Sequence, residues 1–277
     1  MKGIHINWTM PFAVRHGGTY FAEDFELLTT ILSALKWKEK NGTIKLWADD
    51  TALAYYDRIG ILPIYDETAC LSVDRAIDPN QFWAAGKLFA LSREQAPIAV
   101  LDNDFIVWEP ILFDKLGDCT VIHFEEIQPE VYPPRDFFRM RQGYQWQDWN
   151  WEVQACNTAF WVIQSQPLLK YYTDTAIDFM INAAKNDDPL RYMVFAEQRL
   201  LPMCADKLGI PVHAFSQLER LFAHGEGCFT HTWGMKQQMR EQPELRRSFC
   251  RRCVDRICRD FPEYAEIAEK MIENDTD

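Results

Sequence analysis

Pro97-Ile98-Ala99-Val100-Leu101-Asp102-Asn103-Asp104-Phe105 passes from an apolar run straight into two acids. A run of that length and composition is what a central parallel strand looks like when helices cover both its faces. On either side of this run strand and helix alternate. Ile4-His5-Ile6 reads as a first strand, followed by a loop over 9–18 that contains Pro11 and Gly17-Gly18. Phe21, Phe25, Leu28, Leu32 and Leu35 recur at helical spacing, with Glu23 and Asp24 in the first turn and Asn41-Gly42 as the stop. A second strand over 43–47 ends at Asp49-Asp50, a helix runs through Tyr56 to Gly60, and a third strand is predicted over 61–64. Residues 80–92 read as a helix with Phe82, Leu88 and Leu91 facing the core, and 119–124 as the next strand. The pattern predicts an α/β fold with a mixed, mostly parallel central sheet, right-handed crossovers and flanking helices.

Downstream, 128–150 is aromatic and Pro-rich, and a long irregular segment of that kind in a compact domain is usually functional. A strand is predicted over 155–163, then a helix with Pro167 near its first turn. Residues 190–208 read as a helix that Pro202 should kink or split, 225–234 as a polar loop, and the tail from Glu241 as two helices divided near Pro262. The expected organisation is a catalytic domain over 1–236 and a C-terminal helical extension over 237–277 packed on it.

At 277 residues the chain is long enough for one large core and a deep cleft. Its 48% hydrophobic and 25% charged composition is globular. A net charge of −12 argues against a nucleic-acid partner, because phosphate binding needs a positive field. No apolar run approaches a membrane span, and the start is too polar for a secretory signal, so the expected compartment is cytoplasmic with reduced cysteines.

The acids carry the chemistry. In open α/β sheets ligands bind beyond the carboxyl ends of the strands, where Asp102 and Asp104 stand. Residues two apart in extended chain point the same way, so both carboxylates would reach one hard divalent cation, of the kind that bridges carboxylates to phosphates. A polar turn with no ion is the plainer reading of Asp-x-Asp.

Further motifs widen the picture. The run Phe82-Trp83-Ala84-Ala85-Gly86-Lys87, a strand and Asp102-Asn103-Asp104 together resemble the nucleotide-sugar core of GT-A glycosyltransferases. Cys156-Asn157-Thr158-Ala159-Phe160-Trp161-Val162 resembles that family's Asn-containing strand, and Glu197-Gln198 its acidic-Gln pair. His231-Thr232-Trp233-Gly234-Met235-Lys236 is similar to its late His-x-x-Gly-x-Lys motif. The motifs stand in the family's order over about 3–236 and are most similar to the retaining bacterial galactosyltransferase and glycogenin branch and to capsule-type bacterial transferases. The late motif departs from the family in continuing with Gln237-Gln238.

The resemblance implies a Rossmann-like GT-A fold and a metal-dependent hexosyltransferase acting from a nucleoside-diphosphate sugar onto a glycan or lipid-linked acceptor. It implies that Asp102, Asp104 and His231 hold Mn²⁺ or Mg²⁺, and that a nitrogen among oxygens leans towards Mn²⁺. Gly234 would let the backbone approach the diphosphate and Lys236 would neutralise leaving-group charge. Lys87 and Asn103 would join the donor site, Asn157 would bond a sugar hydroxyl, and Glu197 and Gln198 would face donor sugar and acceptor. Asn7, Trp8 and Thr9 would cradle base and ribose, with Asp49 and Asp50 as further contacts. Several also have a plain structural reading: Lys87 an exposed helix lysine, His231 a loop histidine, Asn157 an Asn buried beside its own backbone, Glu197 and Gln198 ordinary residues of a surface helix, and Asp49 or Asp50 a helix cap.

Two rival readings stand beside it, a metal-dependent nucleotidyltransferase and a non-catalytic protein of the same fold that binds a sugar nucleotide or a partner. Cys250, Cys253 and Cys258 invite zinc, but Cys258 falls off the first pair's helix face and a fourth ligand is wanting. Residues 240–259 carry seven arginines against three acids. Such a helix would rest on anionic lipid, giving peripheral contact with the inner face of a membrane, or pair with the chain's own acidic surface.

Overall fold

The computed structural model describes residues 1–217 and 227–273. Its strands, in chain order, are β1 (Lys2–Asn7), β2 (Ile44–Ala48), β3 (Glu67–Cys70), β4 (Ile98–Leu101), β5 (Phe105–Val107), β6 (Cys119–Val121), β7 (Phe124–Glu125), β8 (Ala155–Cys156), β9 (Phe160–Ile163), β10 (Val212–Ala214) and β11 (Phe229–His231). The central sheet has seven of them, in the order β10-β6-β9-β4-β1-β2-β3. All neighbours pair in parallel except β9, which runs antiparallel to both β4 and β6. Two antiparallel ribbons, β5 with β11 and β7 with β8, stand beside it.

The helices are α1 (Met10–His16), α2 (Asp24–Lys40), α3 (Asp50–Arg58), α4 (Ala85–Leu91), α5 (Gln166–Asn182), α6 (Pro189–Val194), α7 (Leu200–Lys207), α8 (Met235–Glu241), α9 (Pro243–Asp260) and α10 (Ala265–Glu273). They cover both faces of the sheet, as the apolar run in β4 requires. Ile98 and Val100 join the core formed with α4, α5 and α7, whereas Ala99 and Leu101 join the core formed with α2, α3, α9 and α10. This two-sided burial is why β4 shows no polar alternation.

Helix α9 lies on α2, and charge fixes the contact as well as burial. Lys36 Nζ, nearly buried, lies 2.6 Å from Asp260 Oδ2, and Arg246 Nε lies 2.7 Å from Asp24 Oδ1. Arg240 reaches Glu23 and Glu26, Arg247 reaches Glu244, and Arg256 and Arg259 share Asp260. The basic helix therefore spends much of its charge on the chain's own carboxylates. Cys250 and Cys253 are buried in the apolar core and Cys258 is half-buried. Among the described residues no helix is long and apolar enough to cross a membrane.

Several expected elements take a different form. The predicted loop after β1 contains helix α1, begun by Pro11 and ended at Gly17, whose φ of 65° suits only glycine well. Phe21 is 56% exposed and stands outside α2, which starts at Asp24 behind a Glu23–Glu26 capping box. Residues 62–64 form a 3₁₀ turn around Pro63 rather than a strand, and the third parallel strand is the polar Glu67–Cys70. The helix predicted over 80–92 is confined to α4, and the strand predicted over 119–124 divides into β6 and β7. The strand over 155–163 divides into β8 and β9 at Asn157, and the loop over 225–234 contains β11, its first two residues lying outside the described residues.

Candidate functional site

Parallel strands β1, β2 and β4 end on one edge of the sheet, and antiparallel β9 begins there. That edge opens into a cleft of about 520 Å³. The acid turn closes on itself through Phe105 N–H donating to Asp102 O at 2.9 Å, and Asp102 N–H donates to Ala159 O at 2.7 Å. The β5–β11 register places His231 opposite Phe105, next to Asp104. One ligand atom from each of Asp102, Asp104 and His231 lies within 4.8 Å of the others. Thr232 fastens the arrangement, its hydroxyl donating to Asp104 Oδ2 at 2.9 Å.

Two lysines balance the acids. Lys236 Nζ lies 3.0 Å from Asp104 Oδ2. Lys87 Nζ lies 2.6 Å from Asp102 Oδ1 and 2.5 Å from Glu197 Oε1. Burial would raise the Asp104 pKa, but Lys236 and the Thr232 hydroxyl hold it below the ordinary carboxylate value. Burial also lowers the His231 pKa, only partly offset by the two aspartates, so the imidazole favours the neutral form a metal ligand needs. For both lysines burial works against the charge and the facing carboxylates win, raising the pKa.

The acid-Gln pair sits on a distortion that the sequence signals. Phe195–Arg199 forms a π-helical turn between α6 and α7. Pro202 has no N–H for the carbonyl of Gln198 four residues back, which instead accepts from Cys156 Sγ at 3.5 Å. Glu197 is 3% exposed and accepts from Thr158 Oγ1 at 2.9 Å as well as from Lys87. Gln198 Oε1 accepts from the Tyr132 hydroxyl at 2.6 Å. π-turns of this kind recur at functional sites.

Of the residues singled out by sequence, Asn7, Trp8, Lys87, Asp102, Asn103, Asp104, Asn157, Glu197, Gln198, His231 and Lys236 all line the cleft. Four expected contacts, Thr9, Asp49, Asp50 and Gly234, do not. Asp49 caps α3 by accepting from Ala52 N–H at 2.9 Å and from Thr9 N–H at 2.7 Å, so these two residues are bound to each other. Asp50 accepts from Cys70 Sγ at 3.1 Å on another surface. Gly234 has an ordinary φ of −79°, and a Cβ there would meet nothing within 4 Å, so the position does not need glycine. Asn157 does line the cleft, but it is buried and its side chain is engaged, donating to Glu125 Oε1 at 3.0 Å and accepting from Ala159 N–H at 3.0 Å.

Sequence reasoning quoted Trp83, Thr158 and Trp233 inside motifs but gave them no role, and all three line the cleft. It quoted Gly86 only as part of a motif, yet a Cβ there would lie 2.6 Å from Trp8 Cβ, so glycine lets Trp8 pack against α4. The exposed Trp233, whose ring stacks on His231 with an interplanar angle of 10°, lies two residues from His231 inside the quoted motif, the sequence signal that could have found it.

The donor set suits a divalent cation of the Mn²⁺ or Mg²⁺ type: two carboxylates and a neutral imidazole converge. Among the described residues Asn103 Oδ1, beside them, is buried with no hydrogen-bond partner, a place for a ligand's donor or a water. Among the described residues three carboxylates and two lysines line the cleft, an excess of one negative charge. A divalent cation would turn that into one positive charge, the sign that attracts a diphosphate.

Among solved structures the chain is similar to the PaToxG glycosyltransferase, at 12% identity over 74% of this chain and 69% of that one, with a TM-score of 0.41. It is similar too to mouse xyloside xylosyltransferase 1 in its apo form, at 12% identity over 78% and 86% of the two chains, with a TM-score of 0.39. No family model matches the chain, and no curated protein does.

Proposed function

We propose that the chain is a metal-dependent glycosyltransferase that moves a hexosyl group from a nucleoside-diphosphate sugar to a glycan or lipid-linked acceptor. The observation that carries this reading is the convergence of Asp102, Asp104 and His231 on one point of a cleft with Lys87 and Lys236 as their counter-charges. When bound, the cation supplies Lewis-acid neutralisation of the donor's diphosphate.

In the transfer, the bond from the anomeric carbon to the phosphate oxygen breaks and its electron pair leaves with the nucleoside diphosphate. The acceptor hydroxyl oxygen forms the new bond to that carbon. Its proton goes to the departing phosphate or to Glu197, which among the described residues is the lining carboxylate outside the cation triad. Lys236 and Lys87 stabilise the negative charge that builds on the leaving group, the electrostatic part of the catalysis. Trp8 and Asn7 would face the nucleoside, and Gln198 the acceptor.

The test is a panel of UDP- and GDP-hexoses incubated with the chain and Mn²⁺, with nucleoside diphosphate release followed over time. Slow release that stops with chelator supports the reading. Absence of release with every donor, with or without glycan acceptors, overturns it.

A further inference from the structure

A second cavity, of about 950 Å³, is walled by the aromatic segment over 127–152 and by Arg199. That is the upper end of the range in which pockets hold sizeable ligands. Tyr132, Trp146 and Trp151 supply ring surface, and Arg135, Asp148 and Glu152 supply polar groups. The rings are not a detached cluster. Trp151 stacks on Phe195 with centroids 5.4 Å apart, and Trp146 meets Phe138, Trp149 and Phe179 at 6.0–6.1 Å. Arg199, 3% exposed, holds the loop from beneath, donating to Val153 O at 2.5 Å and to Trp151 O. The floor of this cavity is therefore pre-organised, which reduces the entropy lost on binding.

The two cavities share one turn of helix. Glu197 and Gln198 line the first and Arg199 the second, and Tyr132 of the second donates to Gln198 of the first. We infer that the second cavity is an oligosaccharide subsite that holds the body of a glycan acceptor and delivers its terminal sugar to Gln198. The acceptor role rests on the transferase reading above. Pyranose rings have an apolar C–H face that suits Trp146 and Trp151, and hydroxyls that suit Asp148, Glu152 and Arg135. An acyl chain would strip water from those three charged groups and return no hydrogen bond. A nucleic acid would meet Asp136, Asp148 and Glu152, charges of its own sign.

The full chain, applied to an array of bacterial and mammalian oligosaccharides, tests the inference. Capture on oligosaccharides is expected, and it falls by about fivefold or more in Asp148→Asn and Glu152→Gln, the cost of a lost hydrogen bond or two. Both changes are at exposed positions; Trp146→Ala is the stronger variant, and the folding of all three is checked by thermal melting. Binding of UDP in the presence of Mn²⁺ stays unchanged in all three. No captured oligosaccharide, or capture that survives these variants and vanishes in Asp104→Asn, overturns the subsite. Failure of UDP binding with glycan capture intact overturns the transferase reading and keeps the sugar-binding cavity.

Discussion

Lys87 Nζ lies 2.6 Å from Asp102 Oδ1, so an acid assigned to the cation is already neutralised by a lysine of the neighbouring helix. The same ammonium is held by the buried carboxylate of Glu197 and the carbonyl of Thr158. Sheet edge, helix α4 and the π-helical turn thereby meet at one charge.

Lys87→Met leaves Glu197 buried without its cation and is expected to cost about 3–5 kcal/mol of stability. Glu197→Gln alone destabilises as well, while the double variant Lys87→Met/Glu197→Gln loses less than the two singles together. Urea unfolding of the four proteins measures this. Additive losses would contradict the pairing.

Lys236 faces Asp104 from a partly exposed position. Lys236→Met removes a competitor for the carboxylate and a partner for the diphosphate, so its two effects have opposite signs. Mn²⁺ alone binds about threefold to fivefold more tightly, and UDP in the presence of Mn²⁺ binds more weakly by a similar factor, roughly 1 kcal/mol each way. Calorimetric titrations of each ligand would check both signs.

His5 is fully buried, and burial lowers its pKa to about 3 against the opposing pull of Asp104. Ser33 Oγ donates its proton to Phe105 O, so it accepts from His5 Nε2, and Tyr65 donates to Nδ1. Below pH 6.5 the unfolded chain takes up a proton that the folded chain refuses, so stability falls with acidification. Between pH 7.5 and 5 this one group costs about 2 kcal/mol. His5→Gln is expected to remove that share of the pH dependence in urea titrations, and an unchanged slope would contradict a neutral His5.

The cleft was legible where chemistry and pattern coincide. Asp102 and Asp104 follow an apolar run whose alternate residues enter two cores, and that run marks both the middle of the sheet and the site. Pro202 announced a break that turned out to be the π-turn beneath Glu197 and Gln198. Where burial leaves no trace in the pattern, reading failed. In α1 only Pro11 is buried, so no apolar face repeats, and β3 is mostly exposed and polar. β11 pairs with β5 across more than a hundred residues, a partnership that local spacing does not encode, although it sets His231 beside Asp104. Asp49 looked like a ligand because it ends a strand, and its carboxylate is consumed by Thr9 and the first turn of α3.

Direct titration of Mn²⁺, followed by the electron spin resonance of the free ion with UDP present, tests the central assignment. Saturable binding of a single ion is expected, weakened at least about tenfold in Asp104→Asn, since even the outer partners of metal ligands matter that much. A wild-type chain that never depletes free Mn²⁺, or an Asp104→Asn chain that depletes it equally well, would contradict the account.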